Sequence, residues 1–184
     1  MSPSLSNPIL RAAALAVALS ALALTTGSVA TSEARGGCGK SGVASARSDR
    51  AALPDVRVVV KCLINDARSA SSLRLNGALS EAAQRHSRQM NRKRCFAHQC
   101  SGEPSTDARI RAAGYMRGAS SYRVGEVIAL NRDRASPREI VRQWKNSAGH
   151  RAQILSGGYE HIGVGMVARR GRAFYTVTLG AKSG

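Results

Sequence analysis

Apolar residues recur at helical spacing in two stretches of the first half of the chain. Val56, Val59, Val60, Leu63, Ile64 and Ala67 fall on one face of a helix predicted over 54–69. Pro54 suits its first turn, and Cys62 sits beside the apolar face. Leu79, Ala82, Ala83, His86 and Met90 repeat at three- and four-residue steps along a second predicted helix, from the cap residue Asn76 to about Arg92. Arg85, Arg88, Arg92 and Lys93 occupy its polar side and its end, where cations suit the helix dipole. His86 lies on the apolar stripe and reads as a packed, hydrogen-bonded core histidine rather than a ligand. A short helix over 106–113 stops at Gly114, a typical residue just past a helix end.

Beyond that point the period changes. "YRVGEVIAL" (122–130) is rich in Tyr and Val and alternates in part, which predicts a strand. "ASPREIVRQW" then starts a helix: Ser136 caps it, Pro137 takes the first position, and Glu139 three residues on completes a capping box. Ile140, Val141 and Trp144 face inward. Residues 146–149 break the helix before His150, and "HRAQIL" begins another turn or two. "HIGVGMVA" and "AFYTVTLG" are strand-like, separated by "RRGR" (169–172), where Gly171 can supply the positive φ of a tight hairpin. There is no internal repeat. Helices, a strand, a helix and a hairpin in this order argue for an α+β fold: a central antiparallel sheet with helices packed on it.

The N-terminus sets the expected compartment. Residues 1–30 combine Arg11, the apolar run "AAALAVALSALAL" and the small residues "TTGSVA", the pattern of a signal peptide cleaved after Ala30, with Ala34 as second choice. The run is too short for a stable membrane-spanning helix. A lipobox before Cys38 would want an aliphatic residue where Arg35 stands. Residues 31–52 are small and polar and are expected to form a flexible leader, anchored only if Cys38 is bonded, with one domain over 53–184. The expectation is a secreted protein with no transmembrane segment after processing.

The formal charge of +17 is carried mostly by arginine, whose planar fork suits carboxylates and phosphates. Extracellular polyanions, anionic lipid headgroups and cell-wall phosphates are the partner classes this admits. The arginines are spread along the chain with no basic run and no aromatic ladder, which argues against a nucleic-acid module. Their number also fits a GC-rich coding bias that keeps the protein soluble.

Four cysteines remain after processing: Cys38, Cys62, Cys95 and Cys100. In an exported protein an even count favours disulfides over zinc thiolates. Of three pairings, Cys38–Cys62 with Cys95–Cys100 is preferred. The first would staple the N-terminal tail to a helix. The second would close "CFAHQC" around His98, displacing the alternative of a zinc clip made of Cys95, His98 and Cys100, which needs a fourth ligand and a reducing setting.

Of the histidines 86, 98, 150 and 161, two lie beside features that control backbone shape: His98 inside the cysteine-bracketed loop, His150 after Gly149. Glu126 follows Gly125 in an apolar strand and shares a face with Val124 and Ile128, so it is expected to be paired. "RLNGALSEAAQRHSRQM", "CFAH", "GEVIA", "WKNSAGHRAQIL" and "IGVGMV", in this order over about residues 56–180, resemble the CAP superfamily of cysteine-rich secretory, antigen-5 and pathogenesis-related proteins, in its exported bacterial single-domain form. The resemblance implies an α-β-α sandwich and a cleft with two histidines and one or two glutamates. His98, Glu126 and His150 match the cleft residues and are the expected ligand set for a divalent metal, zinc first, with the two histidines holding the ion in family members. Two departures stand out: Val127 replaces the usual Asn of the Gly-Glu motif, and no glutamate follows Trp144. The resemblance implies a binding module for a lipid, cell-surface or cell-wall component. The alternatives are a metal-dependent hydrolase, for which Glu126 would be the catalytic candidate although neither a GxSxG elbow nor an HExxH helix is present, and a polar cluster that only pins loops to the sheet.

Overall fold

The computed structural model describes Cys38, residues 41–132 and residues 134–184. The expected signal peptide and the first part of the leader lie outside the described residues. The rest of that leader is anchored, with Cys38 bonded. Helix α1 (Ser41–Ser45) and a 3-10 turn (Ser48–Arg50) pack against the domain, with Ala44 and Ser48 buried. The Ser48 hydroxyl hydrogen-bonds the Ala135 carbonyl and, at 2.5 Å, the Tyr175 hydroxyl. The disulfide Cys38–Cys62, with its Cα atoms 5.6 Å apart, ties this segment to the next helix. Small residues with little side-chain entropy to lose can then lie flat on the core.

The remaining helices are α2 (Leu53–Asn65), α3 (Gly77–Lys93), α4 (Thr106–Ala112), α5 (Pro137–Asn146) and α6 (Ala148–Leu155). Their starts obey the local chemistry. Asn76 accepts from the Leu79 amide at the head of α3, and Ser136 and Glu139 complete the capping box of α5. The break after α5 is a single residue, Ser147, so His150 lies within α6 and not in a loop.

The sheet has the order β1-β3-β4-β2, formed by β1 (Arg74–Leu75), β2 (Ser121–Asn131), β3 (His161–Arg169) and β4 (Arg172–Ser183). The three long strands are antiparallel, as expected. The two-residue edge strand β1 pairs parallel with β3; it is too short to leave a period in the sequence. The β3–β4 turn carries positive φ at both Arg170 (52°) and Gly171 (77°), the primed geometry that matches strand twist.

Alternation along β4 separates two cores. Ala173, Tyr175, Val177 and Leu179 join Val56, Val60 and Ile64 of α2 and Ile140 and Trp144 of α5 on one face. Phe174, Thr176 and Thr178 point to the other, toward α3. There Gly163 and Gly165 let α3 lie directly on the strand. A Cβ at either position would fall under 3.0 Å from the backbone of Leu79–Ser80 or Ala83–Gln84. Helices thus cover both faces of the sheet, and Glu126 of β2 looks toward α3.

Candidate functional site

Glu126 stands in register with Thr178 of β4, which pairs in turn with Gly163 of β3. It therefore occupies the face on which α3 lies, and its side chain is only 3% exposed. An unpaired carboxylate there would carry a heavy desolvation penalty; Glu126 instead engages both oxygens. Oε1 accepts from His98 Nδ1 at 2.9 Å and from the Thr106 hydroxyl at 3.1 Å. Oε2 accepts from Arg109 Nη2 at 2.8 Å. Burial alone would raise its pKa, but the His98 hydrogen bond and the charges of Arg109 and His86 outweigh it, and the net shift is downward.

A carboxylate oxygen can only accept, so this contact assigns the proton to His98 Nδ1 and leaves Nε2 of the neutral ring with a free lone pair. The His98 side chain is half exposed. Its loop is held from several sides. Cys95 and Cys100 are bonded, confirming the preferred pairing. Cys100 packs on Met90, Ile128 and Phe174, and its amide donates to Glu103 Oε2 at 3.1 Å. Arg109 Nη2 donates to the His98 carbonyl at 3.0 Å, and Nη1 to the Pro104 carbonyl at 2.8 Å.

Behind this lies a buried layer. His86 is fully buried, as its place on the apolar stripe implies, and Nδ1 donates to the Glu103 carboxylate at 2.9 and 3.0 Å. Its Nε2 has no hydrogen-bond partner and faces Glu126 Oε1 at 3.9 Å. Arg109 Nε lies 3.8 Å from Glu103, so one guanidinium serves two buried carboxylates.

His150 occupies the third position of α6. Its Nδ1 is buried without a partner. Burial lowers its pKa, and so does His98. His98 and Glu126 therefore meet directly, and His150 is linked to them only through the influence of His98 on its titration. The three do not form a compact donor cluster. Among the described residues the group with donor atoms all within 4.8 Å is Cys38, Cys62 and Asp66, and its sulfurs are tied up in the disulfide.

Three site residues escaped the sequence reading: Glu103, Thr106 and Arg109. Arg109 left a signal, since it sits beside Ile110 on the inward side of a short helix, where a charged residue needs a partner. Glu103 left less. It supplies a second glutamate, but from the loop after the disulfide instead of after Trp144.

The model of the CAP (cysteine-rich secretory protein) family matches residues 40–179, and the chain belongs to that family. The Bacillus subtilis (strain 168) protein YkwD is 36% identical over 96 residues, 52% of this chain. The chain spans about a third of that relative's length, 35%. Among solved structures, an extracellular SCP-domain protein from Bacillus anthracis str. Ames superposes with a TM-score of 0.55 at 22% identity, covering 68% of this chain and 39% of its own. An outer surface protein from Borrelia burgdorferi gives a TM-score of 0.58 at 17% identity, covering 68% of this chain and 91% of its own. These two likenesses establish the shared fold. No helix among the described residues is long and apolar enough to cross a membrane.

Proposed function

We propose that the protein is an exported, non-catalytic binding module whose cleft holds a divalent ion, zinc first, between His98 and His150. Its ligand would be an anionic lipid, cell-surface or cell-wall component. The observation that carries this reading is the division of labour around Glu126. Both of its oxygens are engaged by protein donors, whereas the contact through Nδ1 leaves His98 Nε2 as the ring's acceptor and His150 Nδ1 is buried without a partner. Glu126 then acts as the carboxylate that orients and charges a ligating imidazole, not as a ligand itself. A bound ion would supply a fixed positive centre for an anionic group.

The same engagement argues against hydrolysis. A general base needs a free carboxylate oxygen within reach of a water, and both Glu126 and Glu103 are committed. The extracellular and outer-surface descriptions of the two structural relatives, together with the N-terminal signal-peptide pattern, support secretion.

Calorimetric titration of Zn²⁺ into the purified protein at pH 7.5 tests the metal. Uptake should fall about tenfold or more in His98→Ala and in His150→Ala. Absent uptake, or uptake indifferent to both substitutions, leaves a polar cluster that only pins loops. Turnover of ester, peptide or wall-fragment substrates that disappears in Glu126→Gln would instead establish the hydrolase.

A further inference from the structure

A second polar hollow lies at the other end of the sheet. Its volume is about 440 Å³, and it is lined by Arg92, Arg94, Arg169, Arg170, Arg172 and Phe174. Arg172 is six positions along β4 from Thr178, the partner of Glu126, a separation of roughly 20 Å at the rise of a strand. We propose that this basin is an anion site for clustered phosphates, such as those of a phosphodiester polymer or a phospholipid headgroup. The proposal rests on the anionic-ligand part of the function given above and is independent of the metal.

Three observations carry it. First, five guanidinium groups share one hollow; among the described residues its lining contains no carboxylate, and none of the five has an ion-pair partner. Like charges gathered this way repel one another and gain from a polyvalent anion. Arg presents the planar donor fork that phosphate accepts. Second, the arrangement is not a by-product of one helix. The C-terminus of α3 accounts for cations at Arg92 and Arg94, but Arg169, Arg170 and Arg172 come from the β3–β4 hairpin, far away in sequence. Third, two of these arginines hold left-handed backbone, Arg94 at φ 54° and Arg170 at φ 52°. Glycine or asparagine would adopt both positions more easily. Arginine at two unfavourable backbone positions that converge on one hollow points to a use for the side chains.

Arg92 also lines a neighbouring hollow with Arg88 and Glu103. There Arg85 pairs with Glu81, and Arg109 with Glu103 and Glu126, so the unpaired positive charge is concentrated in the hairpin basin.

The test uses the whole mature protein and inorganic tripolyphosphate as probe, by calorimetry at 50 and 300 mM salt. Binding should weaken with salt and fall about tenfold or more in Arg169→Gln/Arg170→Asn/Arg172→Gln, where Asn tolerates the positive φ. The charge-matched control Arg138→Gln/Arg142→Gln/Lys145→Gln on α5 should change it less than about twofold. Equal losses in the two triple variants would reduce the effect to net charge and overturn the site, as would no binding by the wild type. Vesicles of phosphatidylglycerol, against phosphatidylcholine, identify the source. Hairpin-dependent capture of vesicles assigns the lipid headgroup, and hairpin-dependent tripolyphosphate binding without capture assigns a soluble polymer. Should the hairpin variant not fold, arginine modification by phenylglyoxal in the wild type decides: tripolyphosphate must protect Arg169, Arg170 and Arg172. Loss of tripolyphosphate binding with Zn²⁺ uptake intact, or the reverse, separates failure of the basin from failure of the cleft.

Discussion

Arg109 donates to Glu126 at 2.8 Å with both side chains almost fully withdrawn from water, at 6% and 3% exposure. The same guanidinium faces Glu103 and holds the carbonyls of His98 and Pro104. Replacing it with methionine keeps much of the volume and strands two buried carboxylates. Arg109→Met should destabilise the domain by about 3–5 kcal/mol in urea unfolding. The double variant Arg109→Met/Glu126→Gln should lose clearly less than the sum of the single losses, because one stranded charge is gone. A loss below about 1 kcal/mol in the single variant would show that the pair does not organise the site.

Acid should unfold the protein in two identifiable steps. Glu126 has a folded pKa below its ordinary 4.5. Its contribution is complete above that value and is lost as pH falls through the folded pKa. His150 is also depressed, below 6.5. Folding holds it neutral, so its contribution is present above 6.5 and disappears as pH falls through its own lower value. Melting temperature measured from pH 8 to 3 should therefore decline beneath 6.5 and again beneath 4.5. Glu126→Gln should flatten the lower part, and His150→Gln the upper. An unchanged profile in both variants would remove these groups as the cause.

These two residues also mark what was legible in the chain. Glu126 announced itself as a charge on the apolar face of a strand, and its burial and pairing follow from alternation alone. The helices with strong period or capping chemistry, α2, α3 and α5, could be read for the same reason. "NSAG" looks like a breaker run and sets the start of the next helix at His150, yet one residue, Ser147, suffices to turn the chain into α6, which begins at Ala148. Edge strand β1 is two residues long and too short to show a period. The partners of Glu103 and Arg109 became visible only when the chain folded, because they are 17 residues away in each case. Packing of residues 41–50 depends on a disulfide and a hydroxyl pair across the fold, which composition cannot reveal.

The Cys95–Cys100 bond should affect His98 more than it affects the fold. It closes a loop with a sequence separation of 5, so chain entropy assigns it only about 2 kcal/mol. The longer Cys38–Cys62 closure, with a separation of 24, should be worth about 3.5 kcal/mol. Cys95→Ser/Cys100→Ser is expected to lower urea stability by the smaller amount. It should also broaden the His98 ring resonances in NMR, since the backbone that aims the ring at Glu126 is freed. Sharp, unshifted His98 resonances in that variant would mean that Arg109 and Glu103 hold the loop without the disulfide.

The tightest geometric demand in the domain is the approach of α3 to β3. At Gly165 a methyl group would overlap the backbone of Ala83 and Gln84, and backbone cannot swing aside as a side-chain end can. Gln84 also spends its amide on the Met166 backbone, donating to the carbonyl at 3.0 Å and accepting from the amide at 2.9 Å, which pins the helix at this level. Gly165→Ala must therefore lift α3 off the sheet or bend the strand, at an expected cost of about 3 kcal/mol. Because His86 rides on the next turn of α3, the lift should also open the buried layer beneath Glu126. Unfolding in urea measures the first effect. Hydrogen exchange of the Cys100 amide, which donates to Glu103 behind His86, measures the second and should speed up beyond what global destabilisation alone predicts. A Gly165→Ala protein of unchanged stability, with that amide equally protected, would mean that the helix rests on its neighbours and not on the two glycines.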